Sequence, residues 1–519
     1  MTRLSVRPVT KTPKKILLIT PTSDENLKEF SFAAPNLGVL RMVGFLKARG
    51  HDAVYFDTNL RLVQGDKAVT FEEMLERESW DIIGVSVLEE TIVRDIQNLH
   101  LAKKICSFAT LVAGGIEAQF NYQTVLDKSP CNIVIQGEGE IPLLRLADGM
   151  PPGDIPGAIV KNRAENLNQE LFDEATSAIE WEKIDYEAYW DYWVDYYQSL
   201  DQYSDQLDVE IHTARIFARN RCPIGCKYCI STLQLTAATE GPVPVISGTD
   251  ENLANVVERI VNSHSRVRTI YFTDDDFCIN KRAAIRTCEK LIERGFNNLT
   301  FMCYARITDI TEELAIALKN ANFRLLFIGI ESFSEEVLDE VGKRCDISQV
   351  HRGLEILQKY DIPAFFNIIL TTPESKLVDV QQSVYWGIKY LEKGFFKGGI
   401  YPAMEPLKGT VFEQMYWDFK SRVVPIEGTD YHLRIDTVIW PEDPLVRELL
   451  ERYMGGVEEE MEAQSKKNNV IHKRLQNVAL FRLRFMQKLL DEMREESPEA
   501  ARQLDSLDMD SIVSMVKTG

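Results

Sequence analysis

The fold class predicted for this chain is α/β: an N-terminal doubly wound parallel sheet, a partial (β/α)6 barrel of the TIM type, and a mostly helical C-terminal region. Three observations predict it. Short apolar runs alternate with amphipathic helical patterns across residues 1–150, as in parallel strands buried on both faces and joined by crossover helices. Six further strand-plus-helix units follow from Ile211 onward. Residues 413–519 carry a linker with Trp417 and Trp440, then long charged helical patterns at Pro444–Lys466 and Val470–Glu495.

Taken in order, residues 1–14 are basic and proline-containing and read as a loose tail. Lys15 to Pro21 is apolar throughout rather than alternating, which predicts a buried parallel strand. Later strands are expected at Ala53–Phe56, Ile82–Ser86, Thr110–Ala113 and Ile133–Ile135, with helices at Leu37–Arg49, closed by Gly50, and Ile92–Phe108. In such sheets ligands sit beyond the C-terminal strand ends. Those ends hold Ser86 and Leu88 after the third strand, Gly114 and Gly115 after the fourth, and Gly137, Glu138, Gly139 and Glu140 after the fifth. Glycine there lets backbone approach a large flat ligand closely, although glycine also ends strands for turn geometry alone.

Residues 151–205 read as a connector, with a strand-like Gly157–Val160 and an acidic stretch dense in aromatics: Trp181, Tyr186, Tyr189, Trp190, Tyr192, Trp193, Tyr196, Tyr197 and Tyr203. Aromatics at this density pack one domain onto another; stacking on a substrate is the sharper alternative.

The second domain is expected over residues 206–412. Its strands are Ile211–Ala218, Thr269–Thr273, Leu299–Tyr304, Leu325–Gly329, Ala364–Leu370 and Gly398–Tyr401. Helical patterns fall between them at Asn252–Asn262, Ala283–Glu293, Glu312–Lys319, Val350–Lys359 and Val378–Leu391. Catalytic residues of barrels gather beyond the C-terminal ends of strands. Directly after the first strand come Cys222, Cys226 and Cys229 at CxxxCxxC spacing. Thiolates are the preferred ligands of iron–sulfur clusters, which usually take four. Three from one loop hold three irons of a four-iron cluster and leave one open to a substrate or cosubstrate. A zinc ribbon needs a second Cys or His pair downstream, and none follows. Three structural cysteines are the bland alternative, although free cysteine is normally buried within elements rather than clustered in a loop. Pro223 and Gly225 let this loop curl, and Tyr228 offers an aromatic wall.

Other polar residues stand at the same level. Asp274, Asp275 and Asp276 follow the second strand and suit an ammonium or several hydroxyls; one of them capping a helix N-terminus is the bland alternative. Arg306 follows the third strand, where a guanidinium suits a carboxylate, including Glu331 after the fourth. Cys106, Cys131, Cys278, Cys288, Cys303 and Cys345 show no ligand spacing, and lone histidines such as His212 and His351 read as structural or surface residues rather than ligands.

CxxxCxxC with an aromatic before the last cysteine resembles the radical S-adenosylmethionine (radical SAM) superfamily, and the glycine-rich strand ends of the first domain resemble the cobalamin-binding domain of one branch of it. The resemblance covers roughly residues 15–412, and the cysteine loop is its most specific part. It implies that Cys222, Cys226 and Cys229 hold a 4Fe-4S cluster with SAM on the open iron, where one electron yields a 5′-deoxyadenosyl radical. It also implies SAM contacts at Tyr228, Asp274, Asp275, Asp276, Arg306, Glu331 and Ser332. Cobalamin contacts are implied at Ser86, Leu88, Gly114, Gly115, Gly137 and Glu138. The Asp-x-His-x-x-Gly cobalt-ligand signature is absent after the first strand, and no histidine precedes His51. That fits the radical SAM subgroup whose cobalt has no protein histidine. Leu370 and Thr372 stand where many relatives have glycine, and Pro406–Thr410 resembles a segment that closes the barrel. The activity implied is methyl transfer to an unactivated carbon; a ring contraction, cyclisation or rearrangement is the alternative. The partners implied are a small-molecule substrate and an electron donor such as flavodoxin or ferredoxin.

Composition agrees. At 519 residues with 45% hydrophobic and 27% charged residues, the chain is long enough for two or three domains of soluble type. The net charge of −20 argues against a nucleic-acid surface. No apolar run approaches a membrane span, the start lacks a secretory h-region, and three of nine cysteines are needed reduced, so a cytoplasmic location is expected.

Overall fold

The computed structural model describes residues 12–22, 34–158, 164–199, 209–416, 419–425, 432–468 and 475–506. Most of the expected N-terminal tail, Tyr203, Trp417 and the end of the strand-like Gly157–Val160 lie outside them, as do the side chains of Tyr196 and Tyr197. The described chain forms two compact units, one of residues 1–189, 234–244 and 424–433 and the other of 190–233, 245–423 and 434–519.

The first unit is built on five strands: β1 (Lys15–Ile19), β2 (Asp52–Phe56), β3 (Ile82–Ser86), β4 (Thr110–Gly114) and β5 (Ile133–Val134). They are ordered β2-β1-β3-β4-β5 and every pairing is parallel. The apolar run Ile16–Ile19 lies in an interior strand of this sheet and is buried on both faces, which is why it does not alternate. Helices Leu37–Ala48 and Glu140–Ala147 supply Val39, Val43, Leu46, Leu143 and Ala147 to one core with Ile16, Leu18 and Val112. The chain reverses direction across the sheet between β1 and β3, so the switch-point crevice opens beside the end of β3. Trp181, Tyr186 and Tyr189 of the aromatic stretch are buried within this unit.

The second unit contains six parallel strands in sequential order: β6 (Thr213–Ile216), β7 (Thr269–Phe272), β8 (Thr300–Arg306), β9 (Phe323–Glu331), β10 (Ala364–Ile369) and β11 (Lys397–Tyr401). Phe272, Phe277, Phe301 and Phe323 stack between sheet and helices with ring centroids 4.5–6.2 Å apart. Helix Leu475–Glu496 packs on helix Leu377–Leu391 and beside β11, covering the edge strand of the sheet. A Cβ on Gly387 would lie 2.8 Å from a methyl of Leu483 and 2.9 Å from one of Ile368, so the helices approach closely at this glycine. The linker expected after residue 412 instead carries a two-stranded ribbon, β12 (Phe419–Pro425) with β13 (His432–Ile439). Among the described residues no helix is long and apolar enough to cross a membrane.

Candidate active site

The cysteine loop leaves β6 and is held by several neighbours. Asp274 follows β7, and its Oδ1 accepts the backbone amides of Ala218 at 2.6 Å and Arg219 at 2.7 Å. Asp275 accepts the hydroxyl of Ser231 at 2.9 Å and the amide of Cys222. Asn220 is strapped to Ile246 by two bonds, one from each backbone amide. On the far side the amide of Lys227 donates to the Val341 carbonyl at 2.9 Å, and the amide of Phe412 donates to the Lys227 carbonyl at 3.2 Å. Gly225 takes φ +79° at the tip, and the amide of Cys229 folds back onto the Cys226 carbonyl at 3.1 Å. Cys222, Cys226 and Cys229 are half-buried and form no disulfide, whereas Cys278, Cys288 and Cys303 are fully buried.

This donor set suits an iron–sulfur cluster. The ligands of a four-iron cluster each bind a different iron, so they need not converge on a point as zinc ligands do. Among the described residues no three His, Cys, Asp or Glu side chains converge as a single-ion site. Burial pushes the Cys222 thiol up to about 12, with Asp276 and Asp275 adding to it. Burial also raises Cys226, against the pull of Lys343 and Arg306. Both thiols therefore need a metal to displace their protons.

The three aspartates do different things. Asp274, raised to about 7 by burial, and Asp275 brace the cysteine loop. Asp276 is fully buried and accepts the Cys278 amide at 3.0 Å. Burial and the adjacent Asp309 carboxyl raise it to about 8. None of the three caps a helix: the N-cap of Lys281–Glu293 is Asn280, which corrects that expectation. The expected pairing of Arg306 with Glu331 is also corrected. Arg306 donates to the Lys343 carbonyl at 2.9 Å and lies 3.7 Å from Asp309, while Glu331 takes the ammonium of Lys343 at 2.6 Å. Glu331 sits at φ +69°, where the β9–β10 register shifts, and it lies within hydrogen-bonding reach of the Tyr228 hydroxyl. Tyr228 packs on an apolar cluster that includes Val341, Met404, Phe412 and Tyr416. Ser332, one residue on, is turned into the packing, where its hydroxyl meets Ser383 at 2.8 Å. Lys343 was not legible as a site residue; its one signal is a cation following the turn glycine Gly342 (φ +67°).

The residues expected to face cobalamin lie within the first unit. A Cβ on Gly115 (φ +97°) would fall 2.6 Å from the Val87 carbonyl and 3.2 Å from Ser86 Oγ, so this turn requires glycine for its own backbone. Gly114 accepts the Val87 amide at 2.8 Å and has no heavy atom closer than 3.9 Å to a Cβ built on it. The amide of Leu88 donates to Thr91 at 3.2 Å and that of Gly137 to Gln119 at 3.0 Å. Glu138 accepts the Leu167 amide at 2.6 Å; burial and neighbouring Glu140 raise it to about 7. Ser86, Gly114 and Gly115 thus form one small-residue rim beside the switch point, while the Glu138 carboxylate is engaged internally.

Comparison with known proteins bears on both domains. Residues 217–383 match the radical SAM superfamily and residues 26–147 match the B12 binding domain. An uncharacterized methyltransferase of Pyrococcus horikoshii is 22% identical over 381 residues, 72% of this chain and 78% of that protein. The anaerobic magnesium-protoporphyrin IX monomethyl ester cyclase of Rubrivivax gelatinosus is 25% identical over 66% of this chain but only 60% of its own length. Among solved structures, the cobalamin-dependent S-adenosylmethionine radical enzyme OxsB superposes with TM-score 0.66 at 16% identity, over 96% of this chain and 75% of that one. The radical S-adenosylmethionine methyltransferase TsrM from Kitasatospora setae gives 0.60 at 15% identity, over 79% of both chains. The chain thus carries a radical SAM domain, which implies a 4Fe-4S cluster and SAM, and a B12-binding domain, which implies cobalamin.

Proposed function

We propose that this chain, a cobalamin-dependent radical SAM enzyme, is a C-methyltransferase acting on an unactivated carbon of a small-molecule or natural-product substrate. The observation that carries the reading is the presence, in one chain, of a three-thiol loop and a B12-binding domain. When bound, cluster and SAM supply a carbon-centred radical that abstracts hydrogen, and the corrinoid supplies a methyl group. An acceptor of this kind lies beyond ordinary SAM methyl transfer, which needs a nucleophile.

The chain's own residues bind, brace and exclude water. In this reading Cys222, Cys226 and Cys229 ligate the cluster. Asp274 and Asp275 keep the loop in place through its amides, so the thiols keep their spacing as the metal displaces their protons. Tyr228, packed on Met404 and Phe412, closes one wall against water. Arg306 and Glu331 supply charge for the two ends of a methionyl group, and Asp276 supplies a carboxyl held largely protonated by burial and Asp309. Ser86, Leu88, Gly114, Gly115 and Gly137 receive the corrinoid. An electron donor of flavodoxin or ferredoxin type and a reducing, cytoplasmic setting complete the reading.

A second reading is a radical cyclisation or rearrangement, and the similarity to the Rubrivivax gelatinosus cyclase favours it. Product analysis separates the two. Anaerobic turnover with candidate substrates should give S-adenosylhomocysteine together with 5′-deoxyadenosine if methyl is transferred. 5′-Deoxyadenosine alone, with cyclised or rearranged product, would sink the methyltransferase reading.

A further inference from the structure

The two faces of the second sheet differ in character. On the face covered by helices, Ile270, Phe301, Leu326, Ile328 and Phe366 are fully buried. The residues that alternate with them carry a row of rings across four neighbouring strands: Tyr271, Tyr304, Phe327 and Phe365. Tyr271 pairs with Met302, two residues before Tyr304, while Tyr304 pairs with Phe327 and Phe327 with Phe365, so all four share one face. Their ring centroids lie 5.2–5.9 Å apart. Arg215 of β6, ion-paired with Glu210, ends the row 5.7 Å from the centre of the Tyr271 ring.

This floor is left partly open. Tyr304 is 39% exposed, and Phe327 and Phe365 are half-buried. Parallel sheets are normally covered on both faces, and barrel interiors that serve only as packing are filled mainly by branched aliphatic side chains. An open aromatic surface in a barrel instead suits a flat ligand, because rings stack on rings.

The next residues on the same face, toward the strand ends, are Arg306, Gly329, Asn367 and Gly399, again in register. A Cβ on Gly399 would lie 2.6 Å from Asn367 Oδ1 and 3.3 Å from the Phe365 ring, so the Asn367 carboxamide lies along this face above the floor. Its Oδ1 is buried and has no hydrogen-bond partner among the described residues. A buried acceptor without a donor is costly, and a ligand N–H would relieve that cost. Arg306 stands two residues, about 7 Å of strand, beyond Tyr304. The floor is therefore continuous with the strand ends that carry the cysteine loop.

We propose that the substrate is a planar aromatic molecule with an N–H on its edge. Its ring stacks on Tyr304 and Phe327, and Asn367 Oδ1 accepts its N–H. The proposal rests on the reading that the reaction takes place at the strand ends of this barrel, and it makes Tyr304, Phe327 and Asn367 the residues that set specificity.

The test is anaerobic equilibrium dialysis of the full-length, iron–sulfide-reconstituted enzyme against two neutral probes. Quinolin-2-one is flat and carries a lactam N–H; octahydroquinolin-2-one keeps the lactam edge without the aromatic face. The wild-type enzyme should bind the flat probe about tenfold more tightly. Tyr304→Leu should cut that preference to about twofold, and Tyr304→Phe should keep it. Asn367→Leu should weaken both probes alike, about fivefold. If Asn367→Leu does not fold, the two variants of the exposed Tyr304 decide. Equal binding of the two probes by the wild-type enzyme, no binding of either, or a preference untouched in Tyr304→Leu overturns the proposal. 5′-Deoxyadenosine formed from SAM, measured on the same samples, tests the radical reading separately: its absence overturns that reading, and its presence with equal probe binding overturns only the aromatic site.

Discussion

The carboxylate of Asp274 accepts the backbone amide of Arg219 at 2.7 Å, and the same oxygen accepts the Ala218 amide at 2.6 Å. One side chain thereby fixes the take-off of the cysteine loop from β6. Replacing Asp274 by Ala orphans two buried amides at about 1–3 kcal/mol each. The expected result is about 2 kcal/mol or more lost in urea unfolding, with a lower iron-to-protein ratio after reconstitution. Asp274→Asn keeps an acceptor and should lose less on both measures.

Gly114 and Gly115 separate folding from ligand binding in the first unit. Gly115→Ala forces a Cβ to within 2.6 Å of the Val87 carbonyl at φ +97°, so it should lower the melting temperature and corrinoid uptake together. Gly114→Ala meets no heavy atom within 3.9 Å and should leave stability within about 0.5 kcal/mol of wild type. If the corrinoid lies against this rim, Gly114→Ala weakens hydroxocobalamin binding, read by its visible spectrum, without unfolding the chain.

His351 gives a pH dependence with a defined sign. It is buried against Phe333, Trp386 and Tyr390, its Nδ1 is 2.6 Å from the Tyr390 hydroxyl, and burial holds it down at about 4. In the unfolded chain it titrates near 6.5. Between these values the unfolded state binds the extra proton, so this contribution is present above pH 6.5 and is lost as pH falls toward 4, up to about 3 kcal/mol. His351→Phe should flatten the denaturant-measured stability curve over that window.

The central strands of the first sheet were legible because a strand covered on both faces must be apolar throughout, as in Ile16–Ile19, and β10 was legible from its apolar run despite Asn367. The ribbon β12–β13 was not, since His432, Arg434 and Asp436 alternate with apolar residues in a way that a charged linker also shows. The cysteine loop was legible from spacing alone. The partners of its polar neighbours were not: Glu331 reaches Lys343 while Ser332 turns into the packing, and a β9 register shift decides between them. Lys343 lies 12 residues from Glu331 and is joined to it only through a tertiary turn.

The three-thiol site is tested most directly by comparing wild-type chain with Cys226→Ala after anaerobic reconstitution with iron, sulfide and hydroxocobalamin. Iron, bound corrinoid and 5′-deoxyadenosine formed from SAM would be measured on the same samples. The wild-type protein should form 5′-deoxyadenosine, and the variant should lose it while binding corrinoid as before. A variant that still forms it, or a wild-type loop that holds one zinc ion with a fourth protein ligand, would contradict the assignment.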